Sequence, residues 1–105
     1  MTLKTNNGIV RWINDSLFTK IKANIPLVCV DLLVVYDERL LLMLRNNEPA
    51  KDLWFTLGGR VHKGETLESV VYRILQKETR LTPVHIEQKG AMSHFWSCTH
   101  TVTVF

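Results

Sequence analysis

The chain has 105 residues, 46% apolar and 22% charged, with a formal net charge of +3. This length supports one domain around one core, and the composition is that of an ordinary folded protein rather than a disordered chain. No apolar run reaches the roughly 18 residues of a membrane span. The basic residues are scattered, without the Lys/Arg run or aromatic interleave of a nucleic-acid face, so membrane and nucleic-acid partners are set aside.

In chain order, the N-terminal segment carries Lys4 and Arg11 but no following apolar signal region, so the expected location is cytoplasmic. Asp15 or Ser16 is placed to cap a short helix running to about Ala23, with Leu17, Phe18 and Ile21 as its apolar face and Pro26 as its stop. Residues 27–36 and 40–45 read as two strands separated by the hairpin-length interruption Asp37-Glu38-Arg39. Residues 46–52 form a loop, and a short strand over 53–57 delivers the chain to the turn-like pair Gly58-Gly59. A helix follows from Glu65-Thr66 and ends at Arg80 ahead of Pro83. Residues 84–88, 91–96 and 99–105 read as strands, which makes one mixed α+β domain of the whole chain, 1–105. The last strand closes at Phe105 with nothing after it to cover the sheet. A C-terminally incomplete domain, a sheet completed by a partner chain such as the second copy of a homodimer, and a tolerated open edge all remain open.

The residues able to carry chemistry cluster around the second helix. Leu67, Val70, Val71, Ile74 and Leu75 form one apolar stripe at 3.6-residue spacing, and Glu78 lands near its middle. A carboxylate there has to be paired, hydrated in a cleft or bound to a metal. Mg²⁺ takes one or two carboxylates and completes its shell with waters and phosphate oxygens, so Glu78 with one glycine carbonyl is sufficient for it. Arg45 at a strand end, Arg60 after the glycine pair and Arg73 on the helix supply guanidinium groups that bind phosphate oxygens bidentately. Asp31 interrupts an apolar strand; it either accepts hydrogen bonds from a ligand's base or sugar or satisfies groups inside the protein. His94 and His100 read as core histidines, His62 as exposed, and Cys29 and Cys98 as structural thiols.

The segment from Gly59 resembles the Nudix box. Gly59, Glu65, Arg73, Leu75, Glu78 and Leu81 match its pattern, while Ile74, Lys77 and Arg80 stand where it has Glu, Glu and Gly. Pro26-Leu27-Val28, Asp31, Arg45-Asn46, Pro49-Ala50, Trp54-Phe55, Gly58-Gly59-Arg60-Val61 and Thr99-His100 resemble more closely the GDP-mannose mannosyl hydrolase branch of that family. The resemblance implies a Nudix-type α/β/α sandwich with a mixed sheet that lacks its C-terminal strand and helix. It implies Mg²⁺-dependent hydrolysis of GDP-mannose or GDP-glucose to GDP and free sugar, by attack of water at the anomeric carbon. On that reading Gly58 and Glu78 hold Mg²⁺, Arg45 and Arg60 act with Glu78 in catalysis on the leaving diphosphate, and Asp31 and Arg73 contact the substrate beside them. The branch's third metal ligand and its histidine base fall beyond Phe105. Two alternatives stand beside this reading: attack at phosphorus, as in a Nudix pyrophosphohydrolase, and a module that binds nucleotide sugars without turnover or is completed by a partner.

Overall fold

A computed structural model describes residues 2–5, 8–11, 13–46, 51–95 and 99–105. Among the described residues, strands β1 (Thr2–Thr5) and β2 (Gly8–Arg11) pair only with each other, antiparallel. Helix α1 (Asp15–Asn24) follows. Its cap is Asn14, one residue before the expected start, whose Oδ1 accepts the Leu17 amide at 2.9 Å and the Ser16 hydroxyl at 2.9 Å. The helix ends at Ile25, and Pro26 leads directly into β3 (Leu27–Leu32).

The apolar run breaks after Leu32. β4 (Val35–Tyr36) and β5 (Arg39–Leu40) form a separate hairpin with Asp37 and Glu38 at φ 51° and 59°. Two positive φ values in a two-residue loop define the turn that matches strand twist, so Arg39 belongs to the strand and not to the interruption. β6 (Met43–Leu44) pairs with β7 (Trp54–Phe55), and β8 (Leu57–Arg60) begins one residue later. The expected 53–57 strand is thus split at Thr56, and the glycine pair lies within β8. Gly58 and Gly59 are not turn residues; among the described glycines the positive φ is at Gly64, 89°.

Helix α2 (Leu67–Thr79) begins at Thr66, whose hydroxyl accepts the Ser69 amide at 3.1 Å while Ser69 Oγ accepts the Thr66 amide at 3.0 Å. The last elements are β9 (Ala91–Phe95) and β10 (His100–Val104). Residues 84–88, expected as a strand, form none; Val84 is fully exposed, and β-propensity without a neighbouring ladder does not make a strand. Trp96, Cys98 and residues 47–50 lie outside the described set.

The main sheet has the order β8-β3-β10-β9, with β3 parallel to β10 and the outer strands antiparallel to their neighbours. Alternation gives it two faces of different character. One carries Val30 and Leu32 and is covered by Val70, Ile74 and Leu75 of α2, which with Leu57 are the buried core. Each such aliphatic side chain contributes roughly 1.5–3 kcal/mol on burial. Leu67 and Glu78, at the two ends of the helical stripe, overhang this core and are exposed. The other face carries Cys29, Asp31, Gly58, Arg60, Thr101 and Thr103 in register. Among the described residues no helix is long and apolar enough to cross a membrane.

Arg80 ends α2 at φ 61° and ψ 17°, the left-handed region, and its amide donates to the Gln76 carbonyl at 3.0 Å. A side chain with a Cβ is strained there by about 1–2 kcal/mol, partly offset for glycine by the entropy it loses on folding. Arg80→Gly is therefore expected to stabilise the fold by about 1 kcal/mol. Urea unfolding checks this: a midpoint moved upward with unchanged slope is the expected result.

Candidate active site

The polar face of the sheet opens into a cleft of about 240 Å³. Its floor is Cys29, Asp31, Thr101 and Thr103, and Arg45, Phe55, Arg60 and His94 stand around it. Gly58 lines it too, so Asp31, Arg45, Gly58 and Arg60, separated in sequence, meet in one place. Arg73 and Glu78 are not among the lining residues.

Backbone pairing explains the role of Gly58. Val61 donates to the Val28 carbonyl at 2.8 Å, so in the antiparallel β3/β8 pair the hydrogen-bonded positions alternate from there. Asp31 and Gly58 then form a non-hydrogen-bonded pair, in which Cα atoms approach most closely and the backbone amide and carbonyl point away from the partner. A Cβ at Gly58 would collide with Asp31 Oδ1 and lie 2.9 Å from the Val30 carbonyl oxygen. Glycine is needed there for close approach, and its carbonyl faces outward from the edge strand of the sheet. Gly59 serves the opposite face, where a Cβ would meet Ile74 Cδ1 at 3.2 Å.

Arg45 closes the β6/β7 hairpin: its amide donates to Leu53 at 2.9 Å and its carbonyl accepts from Asp52 at 2.9 Å. Its guanidinium lies 5.8 Å from the centre of the Phe55 ring. Arg60 lies 4.9 Å from the centre of the Phe18 ring. Burial pushes the Asp31 carboxyl above its ordinary value, opposed by the positive fields of His94 and Arg45. Burial likewise raises the Cys29 thiol, with Asp31 adding to the rise and Arg60 opposing it.

Arg73, expected as a substrate contact, is turned elsewhere. Its Nε donates to Glu65 Oε2 at 2.7 Å, and its Nη2 donates to Glu65 Oε1 at 3.0 Å and to the Arg60 carbonyl at 2.9 Å. Glu65 Oε1 also accepts the His62 amide at 2.8 Å, and the Glu65 side chain is 2% exposed. The arginine is therefore a clamp joining α2, the preceding loop and the edge of β8. His62, expected as exposed, is drawn into this clamp with a side-chain exposure of 15%. Burial lowers its basicity, Arg73 lowers it further, and Glu65 opposes both.

The two histidines of β9 and β10 lie on opposite faces of the sheet. His94 faces the cleft rather than the core, because its partner Thr101 belongs to the polar face. Thr101 and Thr103 are the buried positions of β10, while the Val102 and Val104 face is only half-buried. His100 stacks on Phe95 at 4.4 Å, with its Nε2 buried and without a hydrogen-bond partner among the described residues.

Glu78 is exposed, and among the described residues no salt bridge engages it. Ile74 is core and Lys77 is an exposed cation. Among the described residues no three His, Cys, Asp or Glu side chains are grouped to hold a metal. The donors therefore fit no cluster of ions. Glu78, an exposed carboxylate outside the cleft lining, and the outward Gly58 carbonyl are oxygen donors of the kind a single divalent ion takes, with water or phosphate oxygens for the rest of its shell.

The model of the NUDIX domain matches residues 26–104. The chain is 39% identical over 84 residues to the low-salt glycan biosynthesis protein Agl8 of Haloferax volcanii, covering 80% of this chain and 54% of that protein. It is 41% identical over 58 residues to the ADP-ribose pyrophosphatase of Methanocaldococcus jannaschii, covering 55% of this chain and 34% of that one. Among solved structures, a MutT NUDIX hydrolase from Burkholderia pseudomallei superposes with a TM-score of 0.72 at 25% identity, over 77% of this chain and 64% of the other. The NUDIX domain of Shewanella oneidensis NrtR, complexed with ADP ribose, superposes with a TM-score of 0.64 at 27% identity, over 88% of this chain and 68% of the other. The chain belongs to the Nudix family, and its α+β fold with a mixed sheet is the Nudix fold. It spans about half the length of Agl8 and a third of the ADP-ribose pyrophosphatase.

Two outcomes follow from the clamp and the glycine. Burial alone would raise the Glu65 carboxyl, but the Arg73 hydrogen bonds, the His62 amide and their charges outweigh it and hold the carboxyl below its ordinary value. A depressed carboxyl contributes stability that is present above its unfolded pKa of about 4.3 and is lost as pH falls through the lower folded value. Glu65→Gln is expected to cost about 3 kcal/mol at pH 7 and to flatten stability against pH below about 4.3, measured by urea unfolding across pH. Gly58→Ala is expected to cost about 2 kcal/mol through the collision with Asp31 and the Val30 carbonyl. A melting temperature equal to that of the parent would contradict this.

Proposed function

We propose that the domain hydrolyses a nucleoside-diphosphate sugar, GDP-mannose or GDP-glucose, by attack of water at the anomeric carbon. The water oxygen bonds to C1 as the bond from C1 to the diphosphate oxygen breaks, the electron pair leaves with GDP, and a proton is released. The single observation that carries the reading is the convergence of Arg45 and Arg60 on the cleft that Asp31 and Gly58 line. Both cations are seated on aromatic rings and aimed where a departing diphosphate would gather negative charge. Asp31, beside them, accepts hydrogen bonds from sugar or base. Arg73 acts by holding the β8 edge, through the Arg60 carbonyl, and not by touching substrate.

Gly58 and Glu78 are the residues that would hold Mg²⁺. Ile74 approaches Gly59, and the helix continues from there toward Glu78. When bound, the ion would supply positive charge to the diphosphate as it leaves. The second reading is attack at phosphorus, supported by the likeness to an ADP-ribose pyrophosphatase and to a NUDIX domain complexed with ADP ribose. The third, binding without turnover, is supported by the small set of carboxylates.

The products separate these readings. With Mg²⁺, GDP-mannose is expected to give GDP and mannose by ion-exchange chromatography and NMR, and Arg45→Gln or Arg60→Gln to lower kcat/KM by about 10²–10³. GMP with mannose 1-phosphate, or AMP with ribose 5-phosphate from ADP-ribose at a higher kcat/KM, would reject attack at carbon. Binding by calorimetry without products over hours would leave the third reading standing alone.

A further inference from the structure

Helix α1 lies outside residues 26–104, the part of the chain that matches the family, yet it touches Arg60, one of the residues that line the cleft. It contains no buried residue, and Leu17 on its apolar face is 48% exposed. A helix with so little buried surface is not explained by packing. Its contact with the site is Phe18, whose ring centre lies 4.9 Å from the Arg60 guanidinium carbon and 5.0 Å from Lys22 Nζ. Arg60 is paired in register with Cys29, on the face that forms the cleft floor, so its side chain leaves the strand toward that face. Its backbone carbonyl is already fixed by Arg73. The Phe18 ring contacts the other end of the same residue.

We propose that Phe18 is a positioning residue for Arg60. The negative face of its ring holds the guanidinium over the cleft, so the diphosphate meets a cation already in place rather than ordering a flexible one. Lys22 contacts the same ring, so a second positive charge stands near the anionic end of the ligand. The inference rests on the reading that Arg60 binds the diphosphate.

The test uses the full chain with Mg²⁺ and GDP as the probe. Phe18→Leu and Phe18→Met remove the ring while keeping an apolar side chain of similar bulk, and Phe18→Tyr keeps the ring. By calorimetry, the ringless variants are expected to weaken GDP about twofold to fivefold and Phe18→Tyr to restore parent affinity. The double variant Phe18→Leu/Arg60→Gln is expected to bind no more weakly than Arg60→Gln alone. In arginine-labelled protein without ligand, the Arg60 side-chain resonances are expected upfield through the ring current, and to lose that shift in both ringless variants. Parent affinity in the ringless variants, additive losses in the double variant, or no ring-current shift would overturn the inference while Arg60→Gln still weakened GDP. Unchanged binding in Arg60→Gln would instead reject Arg60 as the diphosphate ligand, and the inference with it.

Discussion

The clamp between Glu65 and Arg73 is the interaction on which the rest of the site depends. Burial alone would raise the Glu65 carboxyl, and two side-chain donors and one backbone amide hold it below its ordinary value instead. Leaving either partner alone in that environment is costly, because a buried charge without its counterion retains the full desolvation penalty. One further donor of the same guanidinium reaches the Arg60 carbonyl, so the helix, the loop and the edge strand are joined through a single side chain. That joint sets where β8 ends and from what height Arg60 projects.

The sheet then divides its work between two faces. Gly59 admits Ile74 on one side, which lets α2 lie close to the strand and close the core. Gly58 admits Asp31 on the other, at a pair of positions where the backbone groups turn outward. Two adjacent glycines thus serve opposite surfaces, and neither serves a turn. The same alternation places Thr101 and Thr103 under the cleft and leaves the valines of β10 for the helical side.

The family pattern is kept where it builds the scaffold and altered where it would collect metal ions. Glu65 and Arg73 are retained as the clamp, and Ile74 fills the core. Lys77 introduces a positive charge, and Arg80 occupies a backbone conformation that suits glycine. These changes accord with the proposed reading, in which arginines and a single cation meet the leaving diphosphate. The wide exposure of apolar residues on the short hairpins, such as Tyr36 and Trp54, belongs to the same economical core.

The sequence by itself determined the elements with strong local signals. The capped, amphipathic α2, the β4/β5 hairpin and the family were legible from periodicity, turn residues and the box, and Asp31, Arg45, Gly58 and Arg60, singled out one by one in the sequence, line one cleft. Local signals failed where the outcome depended on a partner. Residues 84–88 have strand composition but no ladder to join, and the glycine pair looks like a turn until β3 is laid beside it. Glu78 sits on the apolar stripe by angle, but the stripe outruns the sheet beneath it. Arg73 has the charge for a phosphate, yet Glu65 takes it. Which face is cleft and which is core, which cations line the cleft, and that Phe18 reaches Arg60 were decided only by tertiary structure. Periodicity fixes which side chains share a surface; only the packing of that surface against another says whether it meets core, solvent or ligand.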